Sequence, residues 1–228
     1  MAIRGVLIDF SGTLFSLDYD AATLSQLLGE HAESIGPALK AELLRTMTAP
    51  TAVHHDLTES EQRDWANRDL DPVAHQRANV AVLELSGVPS RICPGFYSGL
   101  VDPANWQPYP DAEAALALLQ QAGIRIAVVS NIAWDIRACF HRSGLDSYID
   151  SYVLSYEVGS VKPNPRIFTF ACEALGLPAR DCLMIGDSTE ADGGARTVGA
   201  RFAKVSALPV AQRPDALLRV LSEYGITG

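Results

Sequence analysis

Four short stretches of the chain carry side chains that together could move a phosphoryl group. They are Asp9-Phe10-Ser11-Gly12-Thr13, Ser130-Asn131, Lys162-Pro163-Asn164-Pro165, and Asp187-Ser188-Thr189-Glu190-Ala191-Asp192. Carboxylates are hard oxygen donors, and a site with few protein carboxylates plus waters suits Mg2+. A lysine beside them gives positive charge to an anionic substrate and keeps a nucleophilic carboxylate ionised. Ser130, with the amides that open the helix after it, offers donors to a phosphate. A carboxylate whose charge a metal offsets can attack phosphorus, giving an aspartyl-phosphate that water then hydrolyses. Taken singly, each stretch has a bland explanation: Ser130 and Asp187 as helix N-caps, Lys162 as a solvated loop residue. The chemistry requires that the fold bring them together.

The elements between these stretches predict that it does. Ile3–Phe10, Ile124–Ser130, Ser151–Tyr156, Cys182–Gly186 and Ala200–Val205 read as strands, several too continuously apolar to have a wet face. That is the mark of parallel strands covered on both sides. Helical patterns lie between them: Asp111–Ala122 stopping at Gly123, Trp134–Ser143 stopping at Gly144, Pro165–Leu175 ending at Gly176, and Pro214–Tyr224. The alternation predicts an α/β, doubly wound parallel sheet, in which ligands bind beyond the carboxyl ends of the strands. All four stretches fall just there.

One region breaks the alternation. Residues 16–105 show no convincing strand but helical patterns at Ala21–Ser34, Pro37–Met47 and about Glu59 to Leu85. Gly87, Pro89, Pro94, Gly95, Pro103 and Pro108 punctuate the exit. The expected organisation is a core of residues 1–15 and 106–228 with an all-helical insert at 16–105. Six basic and 13 acidic residues between 15 and 105 give the insert most of the chain's negative charge.

The quartet Asp9-x-Ser11-Gly12-Thr13-Leu14-Phe15, Ser130-Asn131, Lys162-Pro163-x-Pro165-x-Ile167-Phe168 and Gly186-Asp187-Ser188-x-x-x-Asp192 resembles the haloacid dehalogenase-like superfamily. The resemblance spans the whole chain, in the subgroup with a helical cap after the first motif. It implies a Rossmann-like core, a Mg2+ cofactor and a small phosphorylated metabolite as substrate. It implies Asp9 as nucleophile and metal ligand, Ser130 and Asn131 against the transferring group, and Lys162 as anchor of nucleophile and phosphate. Asp187 becomes a metal ligand, and Asp192 a second acidic residue of the metal site, bound directly or through water. The Gly193-Gly194-Ala195 run arrives one residue sooner than in the family, which leaves Glu190 as an alternative to Asp192.

Ser11 departs from the pattern. The family's phosphatases carry a second aspartate there, which protonates the leaving group and then activates water; a hydroxyl is a poor acid and a poor base at neutral pH. Losing such a group costs about 10²–10⁴-fold in rate. The resemblance implies that the Ser11 backbone carbonyl can still ligate the metal, as the family's does. Three readings follow: a Mg2+-dependent phosphatase or phosphotransferase whose proton shuttle is missing or supplied by the cap, a 2-haloacid dehalogenase, or a slow or non-catalytic phosphate-binding protein. Asp18, Asp20, His31, His54 and His55 are the cap's candidate proton donors, and Arg45 is the cap arginine that a dehalogenase would need.

Composition narrows the classes. The 228 residues are 48% hydrophobic and 20% charged, enough for a packed core of one domain, or of a core with an insert. A formal charge of −9 with no basic block argues against nucleic-acid binding. No stretch approaches the roughly 20 apolar residues of a membrane helix, and the N-terminus lacks a signal-peptide layout. Cys93, Cys139, Cys172 and Cys182 show no metal spacing and fit buried thiols in a reducing cytoplasm. Arg196, Arg201 and Arg213 read as solvated charges.

Overall fold

The strands that must gather the four stretches are short and apolar throughout, and that composition decides the sheet. The computed structural model describes residues 2–17 and 56–227. In chain order it comprises β1 (Gly5–Ile8), β2 (Phe15–Leu17), α1 (Glu59–Asn67), α2 (Pro72–Leu85), α3 (Cys93–Val101), β3 (Trp106–Pro108) and α4 (Ala112–Gln121). Then follow β4 (Arg125–Ser130), α5 (Arg137–Arg142), β5 (Ser151–Leu154), α6 (Ser155–Val158), α7 (Pro165–Ala174), β6 (Cys182–Gly186), β7 (Arg201–Lys204) and α8 (Ala216–Glu223). The helices expected at Ala21–Ser34 and Pro37–Met47 lie outside the described residues, as do Asp18, Asp20, His31, Arg45, His54 and His55.

Five strands form one parallel sheet in the order β5-β4-β1-β6-β7. Alternate side chains of the central strand enter different cores, because successive residues of a strand point to opposite faces. Val6 and Ile8 pack with Leu116 and Leu119 of α4, Phe140 of α5 and Leu217 of α8. Leu7 packs with Ala127, Met184 and the α7 residues Ile167, Phe168 and Ala171. Burial of each such large side chain contributes roughly 1.5–3 kcal/mol of transfer free energy. The chain lays β4 and β5 on one side of β1, then returns to lay β6 and β7 on the other. The loops after β1 and its neighbours therefore part at the carboxyl end of β1, and a crevice opens there.

The helical region differs from expectation in three ways. The helix expected from Glu59 to Leu85 is two helices, because Pro72 has no N–H to continue a helix and sits well only in a first turn. Asp71 caps α2 by accepting from Val73 N at 2.7 Å, and residues 68–71 turn the chain between α1 and α2. The Pro/Gly-rich exit holds a helix, α3, with Pro94 in its first turn. Two three-residue strands flank the segment: β2 pairs antiparallel with β3 through Phe15–Pro108, Ser16–Gln107 and Leu17–Trp106. Pairs this short carry too little alternation to read in a sequence. A small separate core of Leu57, Trp65, Ala78, Ala81 and Val82 joins α1 to α2. Elsewhere, α5 starts at Arg137 rather than Trp134, with the Asp135 carboxylate accepting from Arg137 N, and β5 ends at Leu154, where α6 begins.

Candidate active site

Asp9 follows β1 directly, and its backbone N–H still joins the sheet by donating to Ile185 O at 3.0 Å. The side chain is 6% exposed and faces Lys162, which is 5% exposed. Lys162 Nζ donates to Asp9 Oδ1 at 2.7 Å, to Asp192 Oδ1 at 2.6 Å and to the Val129 carbonyl at 3.1 Å. All three ammonium protons thus have oxygen partners. Burial alone would push the Lys162 pKa down, but Asp192 and Asp9 overcome it and hold the ammonium charged.

The lysine is held from behind by Asn131. Asn131 Oδ1 accepts from Lys162 N at 2.6 Å, and Asn131 Nδ2 donates to Lys162 O at 3.0 Å. The loop after β4 and the loop before α7 are thereby locked together. Ser130 is buried at the same strand end and faces the crevice.

On the other side, β6 delivers Asp187 and the turn after it delivers Asp192. Asp192 is fully buried; its Oδ1 accepts from Lys162 and its Oδ2 from Ser188 N at 2.9 Å. It fits because Gly186 lies beneath it: a Cβ there would stand 2.1 Å from Asp192 Oδ2. Gly194 is equally constrained, since its Cβ would meet Pro163 at 2.6 Å. Of the Gly193-Gly194 pair, Gly194 is the one whose missing side chain lets the fourth stretch close on Pro163 of the third.

Oxygens of Asp9, Asp187 and Asp192 all lie within 4.8 Å of one another. Glu190 lies outside this group, exposed, and accepts from Ser188 Oγ at 3.4 Å. Of the three clustered carboxylates, Asp9 and Asp192 pair with the one ammonium, and Asp187 lies beside them in a largely buried space. Burial raises the Asp9 pKa to about 8, against the pull of Lys162 and with the repulsion of Asp192 and Asp187. Asp187 is raised by burial and by Asp192. An all-oxygen set with surplus negative charge fits a hard divalent cation.

The turn that carries Ser11 is fixed by features far apart in sequence. Gly12 has φ +72°, and a Cβ there would lie 2.7 Å from Asp187 Oδ2. The Phe10 carbonyl accepts from Leu14 N at 3.0 Å and Phe15 N at 2.9 Å. Arg213, expected to be a solvated charge, is instead 2% exposed. Its Nη1 donates to Gly12 O at 2.6 Å, its Nη2 to Thr13 O, and its guanidinium lies 3.5 Å from the Tyr109 ring centre. Nothing local marks it, because its acceptors are backbone carbonyls some 200 residues earlier.

Above these residues lies a chamber of about 340 Å³. The strand ends supply one wall, including all seven expected site residues: Asp9, Ser11, Ser130, Asn131, Lys162, Asp187 and Asp192. The helical segment supplies the other through Arg68, Asp69, His75, Asn79 and Leu100. None of these five was singled out by sequence reading. The one available signal was Asp69-Leu70-Asp71-Pro72, an acidic turn in what otherwise reads as a continuous helix. Trp106, which packs on Phe10 at 4.7 Å between ring centres, and Trp134 close the apolar side.

Residues 3–198 match the family model described as haloacid dehalogenase-like hydrolase. The chain belongs to that family. Curated relatives that it matches include phosphatases and a dehalogenase, and the chain spans about half the length of these relatives. A ribulose-1,5-bisphosphate 5-phosphatase of Halopiger xanaduensis is 37% identical over 115 residues, 46% of this chain and 48% of that protein. An (S)-2-haloacid dehalogenase 4A of Burkholderia cepacia is 31% identical over 99 residues, 43% of each chain. Among solved structures, the putative hydrolase YfnB of Bacillus subtilis, bound to magnesium, superposes with a TM-score of 0.65 at 18% identity, covering 99% of this chain and 100% of its own. The Xanthobacter autotrophicus L-2-haloacid dehalogenase gives 0.64 at 23%, covering 99% of this chain and 85% of its own. At these identities the superpositions establish the shared fold. Among the described residues of this hydrolase, no helix is long and apolar enough to cross a membrane.

Proposed function

We propose that this hydrolase is a Mg2+-dependent phosphatase or phosphotransferase acting on a small phosphorylated metabolite through an aspartyl-phosphate at Asp9. The observation that carries the reading is the cluster of three carboxylates, two of them paired with Lys162. Halide displacement from carbon needs no cation and would gain nothing from Asp187 and Asp192, whereas phosphoryl transfer needs charge offset on both reactants. Asp9, Asp187 and the Ser11 carbonyl would hold the metal, with Asp192 acting through Lys162 and water. Bound there, Mg2+ offsets phosphoryl charge and draws electron density from phosphorus. Lys162 would orient Asp9 and neutralise the incoming phosphate, with the Ser130 hydroxyl and the backbone of Asn131, whose side chain is held by Lys162, offered to the phosphate oxygens. Phosphatase names among the relatives, and the magnesium of the YfnB structure, support this assignment.

In this reading residues 1–15 and 106–228 are the catalytic core, and 16–105 is a helical cap that closes the chamber and selects the substrate. The four cysteines are buried and free, in keeping with a reducing cytoplasm. Ser11 favours the competing dehalogenase reading, because a departing halide needs no proton.

The test is phosphate release from p-nitrophenyl phosphate with Mg2+, with EDTA, and with Asp9→Asn. Release in Mg2+ is expected, with loss of at least 10³-fold in EDTA and in the variant, since a covalent nucleophile cannot be replaced by an amide. Release of halide from 2-chloropropionate, without phosphate release, overturns the proposal in favour of dehalogenation.

A further inference from the structure

If phosphoryl transfer runs through Asp9, some group other than Ser11 must move the proton. Among the described residues, the chamber wall made by the helical segment holds two titratable side chains besides Arg68: Asp69 and His75. The strand-end wall adds Glu190, which is exposed. His75 is ill suited as the acid. Burial, with Arg68 nearby, lowers its pKa to about 4, and its Nδ1 is engaged with Tyr97 Oη at 3.0 Å. Glu190 sits in water on the loop of the acidic cluster.

Asp69 is placed differently. Its backbone carbonyl accepts from Ser155 Oγ at 2.5 Å. Ser155 is fully buried, and the same oxygen accepts from Ile132 N at 2.8 Å. One hydroxyl therefore moors residue 69 to the loop that follows Ser130 and Asn131, although 86 residues separate Asp69 from Ser155. The Asp69 side chain is 21% exposed, lines the chamber, and meets Arg68 Nη2 at 3.5 Å. Arg68 is itself steadied, its guanidinium 4.2 Å from the Trp65 ring centre and its Nη1 donating to Trp65 O at 2.7 Å.

From this placement we propose that Asp69 is the catalytic acid–base of the reaction, filling from the helical wall the role that Ser11 cannot fill. The inference rests on the phosphatase reading above. In the first step an Asp9 oxygen bonds to phosphorus, the ester P–O bond breaks, and the leaving alkoxide takes its proton from the Asp69 carboxylic acid. In the second, water adds to phosphorus while Asp69 carboxylate takes one of its protons. The P–O bond to Asp9 breaks, phosphate leaves, and both side chains return to their starting forms. Burial raises the Asp69 pKa, against the pull of Arg68 and Lys162, which suits a group that must carry a proton in one step and release it in the other.

The test follows nitrophenol release from p-nitrophenyl phosphate with millisecond resolution, in Mg2+, for wild type, Asp69→Asn and Asp69→Glu. Nitrophenolate leaves without help from an acid, so phosphorylation of Asp9 survives loss of Asp69 while water activation does not. Wild type should turn over steadily. Asp69→Asn should give a burst of one equivalent followed by a steady rate at least 10²-fold lower, and Asp69→Glu should stay within about tenfold of wild type. An unchanged steady rate in Asp69→Asn, loss of its burst, or equal losses in the Asn and Glu variants would each overturn the assignment. A wild type with neither burst nor turnover overturns the phosphatase reading and this inference with it, whereas wild-type turnover with an unaffected Asp69→Asn overturns Asp69 alone.

Discussion

The two walls of the chamber are built by different means. On the strand-end wall the charges are locked: Lys162 donates to three oxygens within 3.1 Å, and its side chain and that of Asp192 are 3% and 0% exposed. Asp9 and Asp187 directly follow parallel strands, while Lys162, beyond α6, is tied to the end of β4 by Asn131. On the helical wall Arg68 and Asp69 meet at only 3.5 Å, each side chain keeps about a fifth of its surface in water (23% and 21%), and the turn between α1 and α2 carries them. A rigid wall can hold a nucleophile and a cation site within the tolerance that chemistry needs. A looser wall can accept a proton, then yield it, and can vary with the substrate. Both walls lean on the main core, which takes Leu83, Phe96 and Leu100 from the helical segment; the contrast lies in how the charged groups are held.

That division can be broken most directly at Lys162. Replacing it in Lys162→Met leaves Asp9 and Asp192 buried against each other without a cation. Removing one partner from a buried ion pair costs roughly 3–5 kcal/mol. Urea unfolding should show that loss, with little dependence on salt, since buried charges are poorly screened. A loss below about 1 kcal/mol would mean that the carboxylates accept protons without strain and that the wall is not locked by charge.

The same difference decided what could be read from the sequence. Asp9, Ser130 and Asp187 were legible because a parallel sheet tells which residues stand at its carboxyl edge, and a hydrophobic run shows where each strand stops. Lys162, beyond α6, was legible by its Pro163-Asn164-Pro165 context. Asp192 was legible only by family spacing, and its place became secure through Gly186 and Gly194, whose missing side chains admit it and Pro163. Arg213 was opaque because backbone carbonyls leave no trace of their donor in the sequence. Asp69 and His75 were opaque for another reason: they depend on where α1 stops and α2 starts. Hydrophobic periodicity runs on through that break, and only Pro72 with its Asp71 cap marks it.

His75 offers a smaller perturbation on the helical wall. Its folded pKa of about 4 lies below the ordinary 6.5, chiefly through burial. Between those values the unfolded chain binds a proton that the folded protein refuses, so stability falls as pH drops from about 6.5 towards 4 and is fully present above 6.5. Two pH units across that window correspond to about 2–3 kcal/mol. The measurement is unfolding free energy at pH 7.0 and pH 4.5 for wild type and His75→Gln. The gap between the two proteins should shift by that amount in favour of the variant at the lower pH. A constant gap would mean that the α2–α3 contact opens to admit the proton locally, and that the helical wall is looser than its burial implies.

The smallest expected effect sharpens the comparison most, because it asks whether the two walls melt together. α1 starts with a capping box: Thr58 Oγ1 accepts from Glu61 N at 3.4 Å, and Thr58 N donates to Glu61 Oε2 at 2.7 Å. Removing such a cap costs about 1 kcal/mol of helix stability. If α1 and α2 open as a unit on their own small core, Thr58→Ala should speed amide hydrogen exchange in residues 59–67 by roughly fivefold, as that energy implies. Exchange in β1, β4 and β6 should stay unchanged. Equal acceleration in the sheet would show that helices and strands unfold as one cooperative body. Asp69 would then be held as firmly as Asp9, and the looseness of its wall would lie in the side chains alone.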